Sequence, residues 1–442
     1  MNTTNPNSTF EAKAVGEWFK DMPFTSTHWQ IGIALLVAFV IESWEMMIII
    51  FSSAAIGESF NLNTTQIGSL IGALFLGMIP GALFWGKLMA TIGRKRCMVW
   101  SIALYGIFPL CSAFAPSYEI LWVARFMCGF FLVCGLVVAF PYFEELIPTD
   151  IRGKATVYLS SGWPIGVLIA IGITVFFSDF GWRVVLGMGC FASLWSIVVY
   201  KFVPESPYWL SEQGRNKEAS EIIETLSKSK PGTKEVVSDN KAEAVNGSFL
   251  QLLSPRFRKI TVLQIIINFC FSWGYWAMAS WMPLLLAKRG LSSPEGLGFI
   301  ALSTLFMFPG YITASYVTGK FGRKITMTSF VFIAAIAGFG FAYSQTMNQM
   351  YFWNFTLSFF SLGAWGIWNT WLGEVYDTNT RAQGCSIGIT SQRVANSVAP
   401  IVIGAMLSSS SFLQTVVFIS SFLAITFIAA LFLPETEGKV LH

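Results

Sequence analysis

Long apolar segments alternate with short polar connections along almost the whole chain. A helix needs about 20 mainly apolar residues to cross a lipid bilayer, and the chain contains twelve runs of that kind. We therefore predict twelve transmembrane helices, numbered 1 to 12 in chain order. Their predicted ranges are 28–51, 65–89, 98–114, 120–143, 155–177, 182–203, 259–286, 296–318, 325–344, 350–372, 384–407 and 412–433.

The polar clusters at the ends of these segments occur twice, at a nearly constant offset along the chain. Duplicated apolar halves are typical of transporters that bind their substrate between the halves, near the middle of the membrane. The repeated elements are Gly93-Arg94-Lys95 and Gly322-Arg323-Lys324, Glu145 and Glu374, Arg152 and Arg381, and Pro204-Glu205 and Pro434-Glu435.

The repeat predicts the domain organisation. Six helices form a bundle at 28–203 and six more at 259–433, with terminal segments at 1–27 and 434–442. The polar stretch 204–258 joins the halves and is too short for a soluble domain. Within it we expect an amphipathic helix over 211–229, a mobile, turn-rich region over 231–247 and a mixed apolar and basic piece over 249–257.

Composition indicates the class of protein. Hydrophobic residues make up 54% of the chain, charged residues 12%, and the mean hydropathy is +0.60, which is typical of a membrane protein. The sequence holds two histidines, no metal-ligand motif, no phosphate-binding loop and no arrangement that activates a nucleophile. We therefore expect no enzymatic activity and no cofactor.

Lysine and arginine collect in the connections that follow even-numbered helices. Short loops rich in these residues stay in the cytoplasm, so we expect a multi-pass protein of the cytoplasmic (inner) membrane with both termini inside the cell. This asymmetry accounts for the net charge of +4 without a nucleic-acid partner. Residues 1–27 lack the short apolar core and cleavage site of a signal peptide.

Several motifs resemble those of the major facilitator superfamily. Residues 86–95 are similar to the family's loop between helices 2 and 3, 125–129 to its helix-4 arginine motif, and 145–153 to the exit from helix 4. The motifs at 204–210 and 434–438 look like those of the sugar-porter branch and its relatives, which are metabolite:proton symporters and carriers of nicotinate, aromatic acids and organic ions. The resemblance implies an all-α fold of two pseudo-symmetric six-helix bundles, alternating access and a monomer.

The loop motif departs from the family pattern at the same place in both halves. Its usual acidic residue is replaced by Ala90 and by Gly319, so we expect a looser lock of the cytoplasmic gate. By similarity to sugar porters, the remaining charges should form ion pairs across the cytoplasmic face when that gate is shut; the alternative is that they only set the topology. These gate candidates are Arg94, Glu145 and Arg152 in the first half and Arg323, Glu374 and Arg381 in the second.

Charged residues inside predicted helices are candidates for the transport site, because a charge at the bilayer centre costs about 2.5–3.5 kcal/mol even on a mild scale. Glu42 and Glu45 are three residues apart on helix 1 and therefore share a face. Metabolite:proton symporters carry an acidic pair at this place, so the resemblance implies that Glu42 and Glu45 bind the coupling proton. The alternative is a permanent structural pair with an arginine.

Two arginines lie within the predicted spans. Arg125 on helix 4 has the helix-1 glutamates as prospective partners, because helices 1 and 4 line the same cavity in this family. Arg393 on helix 11 has no acid on its own helix, and resemblance to the organic-anion branch makes it the candidate for a substrate carboxylate, which its planar guanidinium suits. Pairing of Arg393 with a helix-1 glutamate is the alternative.

Aromatic and amide residues complete the predicted substrate site, since small-molecule sites combine an apolar wall with a few polar groups. Trp281 and Trp371 lie near helix ends and are interpreted as membrane-interface anchors. The Gly and Pro residues of 162–166, Pro309-Gly310 and Pro400 predict helix bends and close helix contacts. The substrate-site candidates besides the arginines are Trp273, Tyr275, Trp276, Trp365, Asn268, Asn369, Gln392 and Asn396.

Together these features predict a proton-coupled carrier that imports a small organic anion or zwitterion, for example an aromatic carboxylate such as nicotinate. An exporter that uses the same acids for proton antiport and a sugar or metabolite symporter are open alternatives. A nutrient sensor without transport activity is a third, although sensors of this fold carry long cytoplasmic extensions. The predicted partners are a small-molecule substrate, protons and the lipid bilayer.

Overall fold

The computed structural model describes residues 11–20, 22–230, 232, 234–237, 249–376 and 380–436, so the outer parts of both predicted terminal segments and most of the predicted mobile region 231–247 lie outside it. In the first half, helix 1 is Ser26–Phe51, helix 2 Thr64–Ile92, helix 3 Arg94–Tyr105 with Ile107–Ala113, helix 4 Tyr118–Glu144, helix 5 Arg152–Ser160 with Gly162–Phe176, and helix 6 Trp182–Gly187, the 3-10 turn Met188–Cys190 and Phe191–Phe202.

The second half repeats this arrangement. Helix 7 is Arg258–Ala287, helix 8 Ser293–Leu305 with Met307–Phe321, helix 9 Arg323–Ala342, helix 10 Met347–Glu374, helix 11 Arg381–Leu407 and helix 12 Phe412–Ala430. Shorter helices lie at Val15–Lys20, Ser53–Phe60, Pro207–Glu212 and Asn216–Ser227, and 3-10 turns at Thr149–Ile151, Ser178–Phe180 and Phe249–Leu253.

The helices have the length that a bilayer requires. Within the described residues, ten of the twelve are long and apolar enough to cross a membrane, and helices 10 and 11, with 28 and 27 residues, complete the set. The prediction of an all-α membrane protein with twelve spans is confirmed. Helix 1 begins at the N-terminal segment, helix 6 ends at the linker and helix 12 ends at the C-terminal tail. Because each helix crosses the bilayer once, an even number of helices returns the chain to the side where it began, so these three segments share one side of the molecule. We call it the linker face and the other side the opposite face.

Two predicted bends coincide with breaks in the helices. Helix 5 is interrupted at Ser161, three residues before Pro164, and helix 8 at Phe306, three residues before Pro309. Proline lacks the amide hydrogen that would bond to the preceding turn, and its ring crowds the carbonyl four residues earlier.

The two halves are held together chiefly by helices 2 and 11. A Cβ atom at Gly68 or Gly72 of helix 2 would collide with the carbonyl oxygen of Pro400 or Ser397 on helix 11, so only glycine permits this backbone approach. Thr64 Oγ1 also donates a hydrogen bond of 2.5 Å to the Gly404 carbonyl. Helix 2 begins and helix 11 ends on the opposite face, so the halves are closed against each other on that side.

The linker differs from the prediction. Two helices, Pro207–Glu212 and Asn216–Ser227, replace the single helix expected over 211–229. Gly214 interrupts it with φ of +71°, a conformation that glycine adopts readily. Downstream, strand β2 (Lys234–Val236) pairs in parallel with strand β1 (Glu11–Lys13) of the N-terminal segment, which ties the start of the chain to the linker.

The interpretation of Trp281 and Trp371 as interface anchors is wrong. Both side chains are buried. Trp281 Nε1 donates a 2.9 Å hydrogen bond to the Pro400 carbonyl and Trp371 Nε1 a 3.1 Å bond to the Pro434 carbonyl. Each indole therefore bonds within the protein, because its helix end is covered by the neighbouring segment.

Candidate functional site

Glu45 and Arg125 form a buried ion pair between helices 1 and 4. Arg125 Nη1 lies 2.6 Å from Glu45 Oε1, Arg125 Nη2 donates a 3.1 Å hydrogen bond to the Glu45 carbonyl, and Cys128 Sγ lies 3.7 Å from Glu45 Oε1. The Arg125 side chain is fully buried, and that of Glu45 is 1% exposed. The structure thus brings together the two residues that the sequence suggested as partners. Removing either one would leave an uncompensated buried charge.

Glu42 lies one turn earlier on helix 1, with Oε2 against Gly135 of helix 4. Its side chain is buried, and it interacts electrostatically with Arg393 of helix 11. Within the described chain these two groups do not form a direct ion pair, and Glu42 Oε1 and Arg393 Nε have no hydrogen-bond partner. Buried polar atoms are rarely left unsatisfied. These opposite charges belong to different halves, and Glu42 Oε1 and Arg393 Nε can each still form a hydrogen bond.

Two glycines make room for the carboxylates. A Cβ atom at Gly135 of helix 4 would collide with Glu42 Oε2, and one at Gly189 of helix 6 would collide with Glu45 Oε2. Sequence reasoning did not identify either residue, because a glycine in a transmembrane helix has many ordinary explanations. The structure shows that each carboxylate packs against bare backbone.

The predicted amide residues of helices 7 and 11 form a buried network. Gln392 Nε2 donates a 3.1 Å hydrogen bond to Asn268 Oδ1, and Asn268 Nδ2 donates one of 2.6 Å to the Gln264 carbonyl. The Asn396 amide, oriented to satisfy both of its ends, accepts a 3.2 Å bond from Trp276 Nε1. This network holds helix 7 in register with the helix that carries Arg393.

An aromatic cluster connects the halves beside these polar groups. Trp163 Nε1 of helix 5 donates a 3.2 Å hydrogen bond to the Tyr275 hydroxyl of helix 7. Phe75 of helix 2 packs against Trp276 with ring centroids 4.6 Å apart, and Tyr275 packs against Trp365 at 5.5 Å. Sequence analysis placed Trp163 only in a helix bend and missed Phe75, since nothing local marks a residue that contacts the other half.

Two predicted site residues lie elsewhere. The Trp273 ring stacks on Phe422 of helix 12, with centroids 4.7 Å apart, so it packs within the second half. Asn369 is exposed and forms no hydrogen bond to any residue that the structure describes. Neither joins the cluster of Tyr275, Trp276 and Trp365.

A cavity with about 670 Å³ of empty volume adjoins the aromatic cluster. Tyr275 is the predicted site residue in its wall. Methionines and small hydroxyl residues make up half of the other lining residues, which suits a small, largely apolar molecule. The wall is built from helices 1 and 5 of the first half and helices 7, 8, 10 and 12 of the second, and it includes Met47, Met278, Met282, Ser303, Asn354 and Ser361.

The predicted gate charges form matching clusters at the linker face. Arg94 and Glu145 make a two-bond ion pair of 3.0 Å, and Arg323 and Glu374 repeat it at 3.2 Å. Each pair joins two residues of the same half, so neither pair crosses between the halves. Arg152 Nη2 donates a 2.9 Å bond to the Tyr208 hydroxyl, whereas Arg381 Nε and Nη2 are buried without a hydrogen-bond partner in the described chain.

The Pro-Glu motifs complete these clusters, and sequence analysis did not include them among the gate candidates. Glu205 Oε1 accepts bonds from the backbone amides of Arg94 and Lys95 at 2.9 and 3.0 Å. Glu435 does the same for Arg323 and Lys324 at 2.9 and 3.1 Å. The carboxylate fills the position at each helix N-terminus where negative charge is stabilised. The repetition of the Pro-Glu motif at the end of each half was the sequence feature that could have indicated these contacts.

Comparison with known proteins agrees with this architecture. The niacin transporter NiaP of Acinetobacter baylyi is 30% identical over 428 residues, which is 96% of this chain and 98% of that protein. Two structures of the xylose transporter XylE from E. coli match this fold. The partially occluded inward open conformation has a TM-score of 0.75 at 19% identity and covers 94% of this chain and 100% of XylE. The inward open conformation has a TM-score of 0.74 at 17% identity, covering 94% and 98%.

The family assignment rests on a match over most of both halves. Residues 33–372 match the sequence model of the Major Facilitator Superfamily, a range that includes the Glu45–Arg125 pair, the aromatic cluster and the Arg94–Glu145 pair. The duplicated six-helix bundles, the charged residues buried between them and this match lead to one conclusion: the chain is a transporter that belongs to the Major Facilitator Superfamily.

Proposed function

We propose that this protein couples the uptake of a small organic carboxylate to the entry of a proton, and that nicotinate is the leading candidate substrate. The proposal draws its substrate from the name of the niacin transporter that is 30% identical over almost the whole chain. It draws its mechanism from the charges buried between and within the two halves. A transporter of this family changes access to its site by moving one half against the other.

The observation that carries the proposal is the burial of Glu42 on helix 1 together with its electrostatic interaction with Arg393, which lies on helix 11 in the other half. Together with the Glu45–Arg125 ion pair, these side chains provide two negative and two positive charges, which sum to zero. An anionic substrate adds one negative charge, and one bound proton restores neutrality. Because net charge is costly inside the membrane, this balance favours movement of the halves with both substrate and proton, or with neither.

The exchange of partners at Arg393 supplies the coupling. A substrate carboxylate binds the planar guanidinium of Arg393 through two hydrogen bonds. Glu42 then loses the cation that favours its charged form, while burial continues to favour the neutral form. The proton therefore goes to Glu42 when the substrate arrives, and Glu45 remains the second protonation site through its pair with Arg125.

The aromatic cluster supports a preference for carboxylates that carry an aromatic ring. Tyr275, Trp276 and Trp365 lie close together, and Trp163 joins them from the first half. Aromatic rings stabilise one another in stacked and edge-to-face arrangements, with about 0.5–1.5 kcal/mol per pair beyond burial. In a molecule with a carboxylate attached to an aromatic ring, the carboxylate would bind Arg393 and the ring would pack against the aromatic cluster.

The test is uptake of radiolabelled nicotinate into proteoliposomes with an inward proton gradient. The parent protein should accumulate nicotinate, and the accumulation should be lost when the gradient is removed. Arg393→Ala loses a charge-assisted contact of about 1.5–3 kcal/mol, so the concentration for half-maximal uptake should rise roughly 10- to 140-fold. Glu42→Gln should retain binding and exchange of nicotinate but lose dependence on the gradient, and Glu58→Gln, an exposed acid, is the matched control.

The same assay decides between the alternatives. Uptake of a neutral sugar that survives Arg393→Ala would support a sugar symporter and remove that arginine from the substrate site. Substrate efflux driven by an opposing proton gradient would support an exporter. Binding of nicotinate without any flux, in protein that is folded and correctly inserted, would support a sensor.

We further propose a monomer, as the family resemblance implies. We also propose that the protein lies in the cytoplasmic membrane with both termini inside the cell, supported by the lysine and arginine content of the loops at the linker face. Single cysteines at the exposed positions Gln213 and Glu295 test the orientation in intact cells. An impermeant thiol reagent should label the cysteine at 295 and spare the one at 213. The reverse pattern would invert the topology.

A further inference from the structure

A cleft at the linker face lies between helices 3 and 6 and the first linker helix, away from the substrate site. Its empty volume is about 890 Å³. The cations Lys95, Arg96 and Arg215 line it together with one acid, Glu205, and aromatic rings. The cleft is therefore a concentration of positive charge at the edge of the helix bundle.

Two of these cations form no ion pair within the described protein. In the part of the chain that the structure describes, the Lys95 ammonium and the Arg96 guanidinium form neither a hydrogen bond nor an ion pair. Arg215 is bound by Glu218, with distances of 2.7 and 2.5 Å. Glu205 already accepts three backbone hydrogen bonds, two of them from the start of helix 3, and its single charge also acts on Lys95. The cleft retains a net attraction for an anion.

The second half of the protein is an internal comparison. Glu435 holds the start of helix 9 as Glu205 holds that of helix 3, so this acid belongs to the shared fold. The residues that correspond to Arg96 and Trp100 in the second copy of the repeat are Ile325 and Ser329. Position 200 corresponds to an alanine. The extra cation and rings around the cleft are thus specific to the first half and are not required by the repeated fold.

The aromatic residues place the cleft at the membrane boundary. Trp100 and Tyr200 are 59% and 65% exposed on helices 3 and 6. Trp100 is six residues, or about 9 Å, from the start of its helix. Exposed tryptophan and tyrosine at this depth are typical of the interface between lipid chains and head groups. Lys95 Nζ lies 4.9 Å from the centre of the Tyr200 ring, so the cation is held directly above this belt.

We propose that the cleft binds the phosphate head group of an anionic phospholipid. Lys95 and Arg96 contact the phosphate, while Trp100 and Tyr200 pack against the glycerol and the first part of the acyl chains. Basic pockets between transmembrane helices are suited to such head groups. The bound lipid would join helix 3 to the linker through Arg215 and Trp209, which both line the cleft. Trp209 Nε1 also donates a hydrogen bond to the Ala90 carbonyl.

The test is native mass spectrometry of the full-length protein with phosphatidylglycerol or phosphatidylcholine added at matched concentrations. The parent should retain phosphatidylglycerol in preference to phosphatidylcholine. Arg96→Ala and Lys95→Ala should each weaken phosphatidylglycerol binding about fivefold without affecting phosphatidylcholine. The control is Lys324→Ala, which removes the repeat-related lysine of the second half, and thermal unfolding of each variant verifies that it is folded.

Three results would overturn the proposal. Equal retention of the two lipids would show that the cleft has no preference for an anionic head group. An equal loss of binding in Lys324→Ala would show only general attraction to charged lipid. The third result concerns the source of the phosphate. If inorganic phosphate displaces phosphatidylglycerol as effectively as further lipid does, the cleft is a site for a soluble anion.

Discussion

The close contact between helices 2 and 11 leads to a prediction about conformational balance. A Cβ atom at Gly68 would collide with the Pro400 carbonyl oxygen and approach its carbon to 2.8 Å and Ile401 Cα to 3.0 Å. All three atoms belong to the backbone, so no side chain can rotate away. Gly68→Ala must therefore separate the halves on the opposite face or distort helix 11.

The size of the effect follows from the cost of overpacking. An extra methyl group in a well-packed contact costs about 1–3 kcal/mol. That cost applies to the state in which the opposite face is closed, and it disappears when the halves separate there. The population of the state open to the opposite face should rise relative to the closed one by roughly 5- to 140-fold.

The assay is a distance measurement between spin labels on cysteines at Ala54 and Ser409, exposed positions in connections of the first and second half at the opposite face. The native cysteines would first be replaced. Gly68→Ala should add a longer component to the distance distribution. Gly86→Ala is the matched control on the same helix, because a Cβ atom there meets nothing within 4 Å.

One outcome would refute the reasoning. If Gly68→Ala unfolds at the same temperature as the parent and shows the same distances, helix 11 absorbs the methyl group and the contact does not control access. A shift of the same size in Gly86→Ala would point to a general effect of the substitution on helix 2.

Three further predictions concern the site and the gate. Gly135→Ala places a methyl group against Glu42 Oε2 and should uncouple uptake from the proton gradient while leaving the protein folded. The pH dependence of uptake measures this effect, and the control Gly172→Ala, where a Cβ atom meets nothing within 4 Å, should leave it unchanged. Trp163→Phe removes the 3.2 Å hydrogen bond to Tyr275 and should weaken the joined arrangement of the halves by about 1 kcal/mol, read as a faster exchange of labelled substrate; an unchanged rate would contradict this role. Glu435→Gln should destabilise the second half by about 1 kcal/mol through loss of charge at the start of helix 9, and thermal unfolding should show a similar loss for Glu205→Gln if the two clusters are equivalent.

Much of the architecture could be read from local patterns. Apolar runs of membrane-spanning length predicted all twelve helices, because a lipid environment permits few other structures. The regular repetition of motifs predicted two similar halves with matching charged clusters at the linker face. The linker was predicted less well. The φ of Gly214 breaks its helix, and the pairing of strands β1 and β2 joins the start of the chain to the connection between the halves, a contact that no local pattern indicates.

The candidate site shows the limit of sequence reasoning most clearly. Glu42 and Glu45 were identified together, yet Glu45 pairs with Arg125 in its own half, whereas Glu42 interacts electrostatically with Arg393 of the other half. Trp273 and Trp276 are three residues apart on one helix, but the first stacks on Phe422 and the second contacts Phe75 across the boundary. A rotation of helix 7 by a fraction of a turn would exchange such environments.

The sequence by itself therefore determined that the protein lies in a lipid bilayer, how many helices span it, that the two halves are duplicated and which charged residues enter the membrane. Each of these properties depends on hydrophobicity and on residue order. Only the tertiary structure decided which charges meet, which rings cross between the halves and where glycine admits a carboxylate. These contacts depend on the rotation and close packing of helices that are distant in the chain, and small differences in packing volume select among them.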